Sequence, residues 1–333
     1  MRISIQRAEF VGHLSLGAFT SMLKLIPGPI RGFLSLLGYT LNTFFWCTFL
    51  FSVALLKAVI PHRGWRRHCS RILNWIASRW IAVNNLNLKL MNTIRWDIRG
   101  LEALRAGNWY LVVSNHQSWV DILILQRIFH RRIPFLKFFI KQELIWMPVL
   151  GLAWWALDFP FVKRYSRSVL ERKPHLKGKD LEITRKACRK FREIPVSIMN
   201  FAEGTRFTPA KHRRQRSPYA HLLRPRSGGI AFVLSAMGEQ MTSILDVTIV
   251  YPQGAVSFWD MLCGRLQSVV VRVREIPVTD KFRGDYFNDD DYRQWFQEWL
   301  NHLWLEKDAR IATILSNARS KESRQPESFR QAA

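Results

Sequence analysis

Residues 112–125 read VVSNHQSWVDILIL and carry a histidine and an aspartate five positions apart, His116 and Asp121. A carboxylate beside an imidazole makes a general base, because it sets the tautomer and stabilises the imidazolium that forms. Positions four apart share one face of a helix, since each residue turns it by roughly 100°; positions five apart do not. Either the pair is an accident, or the backbone between the two residues is not all helix. The flanking sequence meets that condition. WYLVVS (109–114) predicts a strand and VDILILQRIF (120–129) a helix. Ser118 followed by Asp121 has capping-box spacing, which predicts Ser118 as N-cap and Asp121 as the third helical residue. His116 then lies in the non-helical lead-in, and a carboxylate pointing back toward the cap reaches it. Asn115 and Ser118 support this turn.

A second chemical cluster is NFAEGTRFTP (200–209), at the end of another predicted strand. Glu203, Gly204, Thr205 and Arg206 combine a backbone free to turn, a hydroxyl and a guanidinium fork that matches a phosphate in a bidentate way. A third stretch, IKQELIWMPVLGLAWWALDFPFVKR (140–164), begins with Lys141 and closes on Lys163 and Arg164.

The elements that must position these groups alternate. Strands are predicted at 96–100, 109–114, 134–140, 159–163, 195–201, 244–251 and 268–276, with helices at 120–129 and 181–193 among them. Such alternation predicts an α/β domain with a largely parallel central sheet flanked by helices. SGGIAFVLSA (227–236) reads as a loop entering a helix, with its glycines there for tight packing. DDDYRQWFQEWLNHLWLEKDARIATILS (289–316) predicts a helix with an acidic start and an apolar stripe of Trp295, Trp299, Leu303, Ile311 and Leu315, docked on the core.

Upstream, Gly32 to Leu56 is free of charge between Arg31 and Lys57, longer than the ~20 residues that cross a hydrocarbon core. This predicts a membrane-embedded helical segment, spanning the bilayer or bent at Gly38, Asn42 and Thr43 into one leaflet. Basic residues crowd its C-terminal side (Lys57, Arg63, Arg66, Arg67, Arg71), which predicts that side as cytoplasmic. The division expected is 1–75 for the anchor and its basic flank, 76–318 for the catalytic domain and 319–333 for a disordered tail.

Fifty Lys and Arg against 25 Asp and Glu leave a formal charge of +25, which implies an anionic partner. Helix–turn–helix, RNA-binding and zinc-finger patterns are absent from the sequence, so the charge points to anionic lipid over nucleic acid, with a basic membrane-surface or nucleic-acid binding protein as the non-enzymatic alternative. The four cysteines form no C-x-x-C pair, which argues against a thiolate zinc site or a disulfide framework, and no metal is expected. Ser118 as an acyl-enzyme nucleophile is disfavoured. It lacks a G-x-S-x-G elbow, and it stands only two positions from its base.

Taken together the blocks resemble the lysophospholipid acyltransferase family typified by 1-acylglycerol-3-phosphate acyltransferase, the PlsC type. The matching residues are N-H-Q-S-x-x-D at 115–121, K-x-E-L-x-x-x-P-x-x-G at 141–151 with V-K-R at 162–164, E-G-T-R at 203–206, and a strand ending in Y-P at 251–252. The resemblance implies a glycerolipid acyltransferase-like fold that moves a fatty acyl group from acyl-CoA or acyl carrier protein to the free hydroxyl of a lysophospholipid, with no cofactor. It implies His116 as base and Asp121 as its orienter. It assigns Arg164, Glu203, Gly204, Thr205, Arg206 and Lys141 to the phosphate-bearing acceptor, with Glu203 ordering Arg206 or the loop. Backbone amides of the 115–118 turn are expected at the oxyanion. The implied acceptor is 1-acylglycerol 3-phosphate, with remodelling of another lysophospholipid as the alternative. The implied location is a membrane, a bacterial inner membrane, with the catalytic domain on its cytoplasmic side.

The chain departs from the family pattern in places. Ala202 replaces a common proline, and Asp158 stands where many bacterial members carry glycine. Lys163 stands where they carry aspartate, and ILDVTIVYPQG replaces the usual proline–valine run. Segments 163–192 and 207–226 are long and basic, with twelve Lys/Arg against three acids and six against none.

Overall fold

The computed structural model describes residues 23, 25–162, 182, 191 and 194–323. The uncharged segment forms one unbroken helix, α1 (Gly28–Val59), with proline in its first turn. Its 32 residues extend about 48 Å at 1.5 Å per residue. A second helix, α2 (Arg63–Met91), returns alongside it and runs straight across residue 75.

The polar residues inside α1 do not break it; they form its seam with α2. Asn42 Nδ2 donates to Asn84 Oδ1 at 2.8 Å and to the Trp80 carbonyl at 3.0 Å. Trp80 Nε1 donates to Thr43 Oγ1 at 3.1 Å, and Gly38 lets Asn87 approach. The opposite face of α1 is apolar and exposed, with Phe33, Leu41, Phe44 and Leu55 each more than half accessible. Only 17% of its most apolar stretch is buried, and by length and composition α1 can cross a membrane.

The helical pair is tied to the rest of the chain at both ends. The Arg31 guanidinium donates to the Cys263 carbonyl, and Lys57 Nζ meets Asp158 Oδ2 at 2.5 Å. Asp158 has φ +60, the left-handed region that glycine adopts freely, so the departure from glycine supplies a carboxylate for Lys57.

The following elements are β1 (Arg95–Arg99), β2 (Tyr110–Ser114), α3 (Val120–Phe129), β3 (Leu136–Phe138), β4 (Ile140–Lys141), α4 (Leu150–Ala156), β5 (Phe161–Val162) and β6 (Ser197–Phe201). Next come α5 (Pro209–Gln215), α6 (Gly228–Met237), β7 (Ser243–Val250), α7 (Phe258–Leu262), β8 (Ser268–Pro277) and α8 (Asp290–Ser323). The main sheet has the order β1-β8-β7-β2-β6-β3. Its pairs are parallel except β7 with β8. This is the α/β architecture with a mostly parallel sheet that the alternation predicts.

Two sequence expectations change. The strand predicted over 134–140 splits, because Ile140 and Lys141 leave the main sheet to pair with Phe161 and Val162 in a small sheet of two strands. Helix α8 continues to Ser323, past the residue where the tail was expected. The helix predicted at 181–193 lies almost entirely outside the described residues.

Period-two alternation distributes each central strand between two cores. From β2, Leu111 and Val113 pack with Ile230 and Leu234 of α6 and with Phe296, Leu300 and Trp304 of α8. Tyr110 and Val112 pack with Val120, Ile124 and Leu125 of α3 on the other face. A sheet covered on both faces explains why these strands read as continuous apolar runs.

One charge interrupts them. Asp246 of β7 is fully buried and meets the fully buried Lys307 of α8 at 2.5 Å, with Arg310 at 3.2 Å and Arg274 at 3.4 Å. Burial alone would raise its pKa, but these three cations hold the Asp246 carboxyl below its ordinary value.

Candidate functional site

Strand β2 lies between β6 and β7, and all three run in one direction, so their C-terminal ends converge where open α/β sheets build their sites. Beyond the end of β2, Asn115 extends the ladder with its side chain. Its Nδ2 donates to the Ile249 carbonyl and its Oδ1 accepts the Ile249 N–H, both at 2.9 Å. The next residue, His116, is thereby fixed against β7.

His116 Nδ1 lies 2.8 Å from Asp121 Oδ2. A carboxylate only accepts, so Nδ1 donates and the ring's lone pair is left on Nε2. Asp121 is fully buried and has four donors. Oδ2 also accepts the N–H groups of Gln117 (2.6 Å) and Ser118 (3.0 Å), and Oδ1 accepts the Tyr251 hydroxyl (2.5 Å). Burial and the neighbouring Asp121 push the Tyr251 hydroxyl well above its ordinary pKa, so it remains a donor. The imidazole stacks on Phe201 from the end of β6, at 3.8 Å and 12°.

The helix start differs from the expected capping box. Helix α3 begins at Val120 with Trp119 as its cap, one residue late. Ser118 Oγ accepts from the Val120 N–H at 3.2 Å and donates to the Val256 carbonyl at 2.6 Å. The aspartate half of the box is present, as the Ser118 N–H contact. His116 lies outside the helix and Asp121 inside its first turn.

His116 borders a cleft of about 650 Å³ whose floor is aromatic, with Phe138, Phe139, Phe201, Phe232 and Phe287. Its polar wall includes Thr205, Arg206 and Arg226, and no carboxylate lines it among the described residues. The Arg206 guanidinium rests 4.7 Å above the Trp119 ring. Residues 95–252, from β1 through the strand that carries Tyr251, match the model of the family described as Acyltransferase.

This region of the chain is thus similar to the acyltransferase family. An uncharacterized acyltransferase of Schizosaccharomyces pombe is 25% identical over 250 residues, covering 68% of this chain and 66% of that protein. The 1-acyl-sn-glycerol-3-phosphate acyltransferase gamma of Mus musculus is 25% identical over 212 residues, covering 60% of this chain and 51% of that one. The chain thus spans about half to two thirds of the length of these relatives. The crystal structure of PlsC, the 1-acyl-sn-glycerophosphate acyltransferase from Thermotoga maritima, is similar at a TM-score of 0.46 and 16% identity, covering 90% of this chain and 99% of that one.

Within the matched region the E-G-T-R residues part company. Gly204 (φ +68), Thr205 and Arg206 line the cleft, and the left-handed backbone at 204 is the turn that glycine permits. Glu203 does not line it, and it is not bonded to Arg206. It is buried beneath the turn, where Oε1 accepts the His116 N–H and Oε2 the Leu223 N–H, each at 3.1 Å. Of its two expected roles Glu203 therefore fills the ordering of the loop, through the His116 and Leu223 amides, and it stands apart from the cleft wall expected to take the acceptor. The amides of residues 116–118 are all taken by Glu203 and Asp121, so they are not free for an oxyanion as expected.

Arg164 lies outside the described residues. Lys141 ends β4, and its side chain also lies outside them.

Three contributors escaped the sequence reading. Tyr251 was visible only as the end of a strand in a Y-P block. Lys211 sits in the basic stretch 207–226 and donates to Thr205 Oγ1 at 2.6 Å and to the Arg206 carbonyl at 3.1 Å. Arg226 closes the same stretch.

Burial pushes Glu203 from 4.5 up to about 8, overcoming the two N–H donors and nearby Lys307 that favour its anion. A carboxyl whose pKa is raised by folding binds its proton more tightly in the native state. Its contribution to stability is therefore full below about 4.5 and lost as pH rises through about 8. Denaturant midpoints of the wild type relative to Glu203→Gln should decline over that window. A difference independent of pH would show that Glu203 is ionised throughout.

Proposed function

We propose that this domain transfers a fatty acyl group from a thioester donor, acyl-CoA or acyl carrier protein, to the free hydroxyl of a lysophospholipid. The acceptor is 1-acylglycerol 3-phosphate and the product phosphatidate. The observation that carries this reading is the His116–Asp121 pair, aimed into a cleft with an aromatic floor and an arginine wall. An acyl chain suits the floor, and a phosphate suits the wall. The relatives named 1-acyl-sn-glycerol-3-phosphate acyltransferase support the choice of acceptor.

In this mechanism Nε2 of His116 takes the proton of the acceptor hydroxyl as its oxygen attacks the thioester carbonyl. The tetrahedral intermediate collapses, the C–S bond breaks, and the imidazolium returns the proton to the departing thiolate. Asp121 keeps the ring in the productive tautomer and stabilises its charge. No metal or cofactor enters these steps. Helix α1 inserts in the bilayer, and the domain works on its cytoplasmic side, at a bacterial inner membrane, where the lysolipid resides.

Acyl transfer by membranes carrying the chain, assayed over a panel of lysophospholipid headgroups, tests the reading. Transfer to no lysophospholipid would end it. Transfer confined to acceptors other than lysophosphatidate would favour the remodelling alternative. Arg206→Ala removes a charge-assisted contact worth about 1.5–3 kcal/mol, so the acceptor KM should rise roughly 10- to 100-fold with kcat largely kept. An unchanged acceptor KM would remove Arg206 from the phosphate site.

A further inference from the structure

Of the six Lys and Arg in 207–226, Arg226 is the one that reaches the cleft. Lys211 is committed to Thr205 and the Arg206 carbonyl, and Arg224 donates to the carbonyls of Gln215 and Arg216. The backbone of Arg226 is pinned by its N–H to the Ala202 carbonyl at 2.8 Å, which ties it to the turn that carries Arg206. Its side chain lies along Gly204. A Cβ placed there would come 3.7 Å from Arg226 Cδ and 3.9 Å from Nη1. The guanidinium itself is exposed and makes no ion pair or hydrogen bond among the described residues. An arginine held by its backbone at the wall of a cleft, with no carboxylate against it among the described residues, is suited to an anion from outside.

We propose that Arg226 is a second phosphate-binding arm of the cleft, paired with Arg206 across the Gly204 turn. This rests on the acyl-transfer reading above and extends it. The chemistry points to a terminal phosphomonoester. Two guanidinium forks can share its three free oxygens, whereas a diester leaves only two oxygens for both. The first turn of α6 contributes to the same wall, since Gly228 and Gly229 also line the cleft, and its amides favour negative charge. The acceptor headgroup and the phosphates of the CoA donor share this chemistry. Arg226 thus acts as a specificity residue, distinguishing lysophosphatidate from lysolipids whose phosphate is esterified.

The full-length chain in mixed lipid–detergent micelles provides the test, with Arg226→Ala and Arg226→Lys compared with the wild type. For Arg226→Ala we expect the lysophosphatidate KM to rise at least about tenfold, the loss of one charge-assisted contact, with kcat and acyl-CoA KM kept. The preference for lysophosphatidate over lysophosphatidylcholine should fall in step, and Arg226→Lys should restore part of both. A rise in acyl-CoA KM alone would keep the phosphate arm and assign it to the donor. If both KM values stay unchanged, or kcat alone falls, the proposal is overturned. A wild type that transfers no acyl group would sink the function while leaving the arm testable. Calorimetric titration with glycerol 3-phosphate would then decide it, weaker binding by Arg226→Ala supporting the arm and equal binding overturning it.

Discussion

Replacing His116 with alanine should lower acyl transfer by about 10²–10⁴, the span that a positioned general base contributes. The geometry leaves few substitutes. Asp121 is fully buried and already accepts from two backbone amides and Tyr251, so it cannot turn into the cleft to take the proton itself. Glu203 lies beneath the turn, bonded to the His116 and Leu223 amides, and does not line the cleft. The fold should survive, because Asn115 and Glu203 hold the backbone of this turn independently of the imidazole. Acceptor and donor KM should change little, since the ring acts in the transition state. Initial rates on membranes with matched protein levels would check this. A rate within about threefold of wild type, far short of the loss of a base, would exclude His116 from that role.

The second large effect is on stability. Lys307 is fully buried, and Nζ reaches both Asp246 Oδ1 and the Val247 carbonyl. Lys307→Met removes the cation and leaves a buried carboxylate, a change that generally costs about 3–5 kcal/mol. The lower end is expected here, because Arg310 and Arg274 remain 3.2 and 3.4 Å from Asp246. Pairing it with Asp246→Leu should recover most of the loss, since an apolar pair of similar volume needs no counter-charge. Denaturant midpoints of the two single variants and the double variant would measure the coupling. If Lys307→Met unfolds at the wild-type midpoint, the buried pair is not what fastens α8 to β7. The strand matters to the site, because β7 carries Ile249, the partner of Asn115, and leads into Tyr251.

The most legible part of the site is also the most local. From Trp109 to Phe129 the order of strand, turn and helix follows from an apolar β-branched run, polar turn residues and a periodic apolar stretch. The His116–Asp121 contact falls within five residues. The one-residue error at the helix start has a local cause. Ser118 found a carbonyl at Val256, which no neighbouring residue announces. Which of its two expected roles Glu203 fills was hidden, because His116, whose amide it accepts, lies 87 positions away. Tyr251, 130 positions from Asp121, carried no signal beyond its place in a strand.

The uncharged run likewise announced a long helix. Asn42 and Thr43 were open to reading as breaks until α2 brought Asn84 and Trp80 to meet them. Composition, period and short-range spacing were enough for the α/β class, the apolar N-terminal helix and the contact of His116 with Asp121. These depend on contacts between near neighbours and on which faces must leave water. Tertiary structure decided which buried donors each carboxylate satisfies, and which arginine of a basic run faces the cleft. Those outcomes depend on the register of segments far apart in the chain, where each buried polar group takes the partner that packing brings to it.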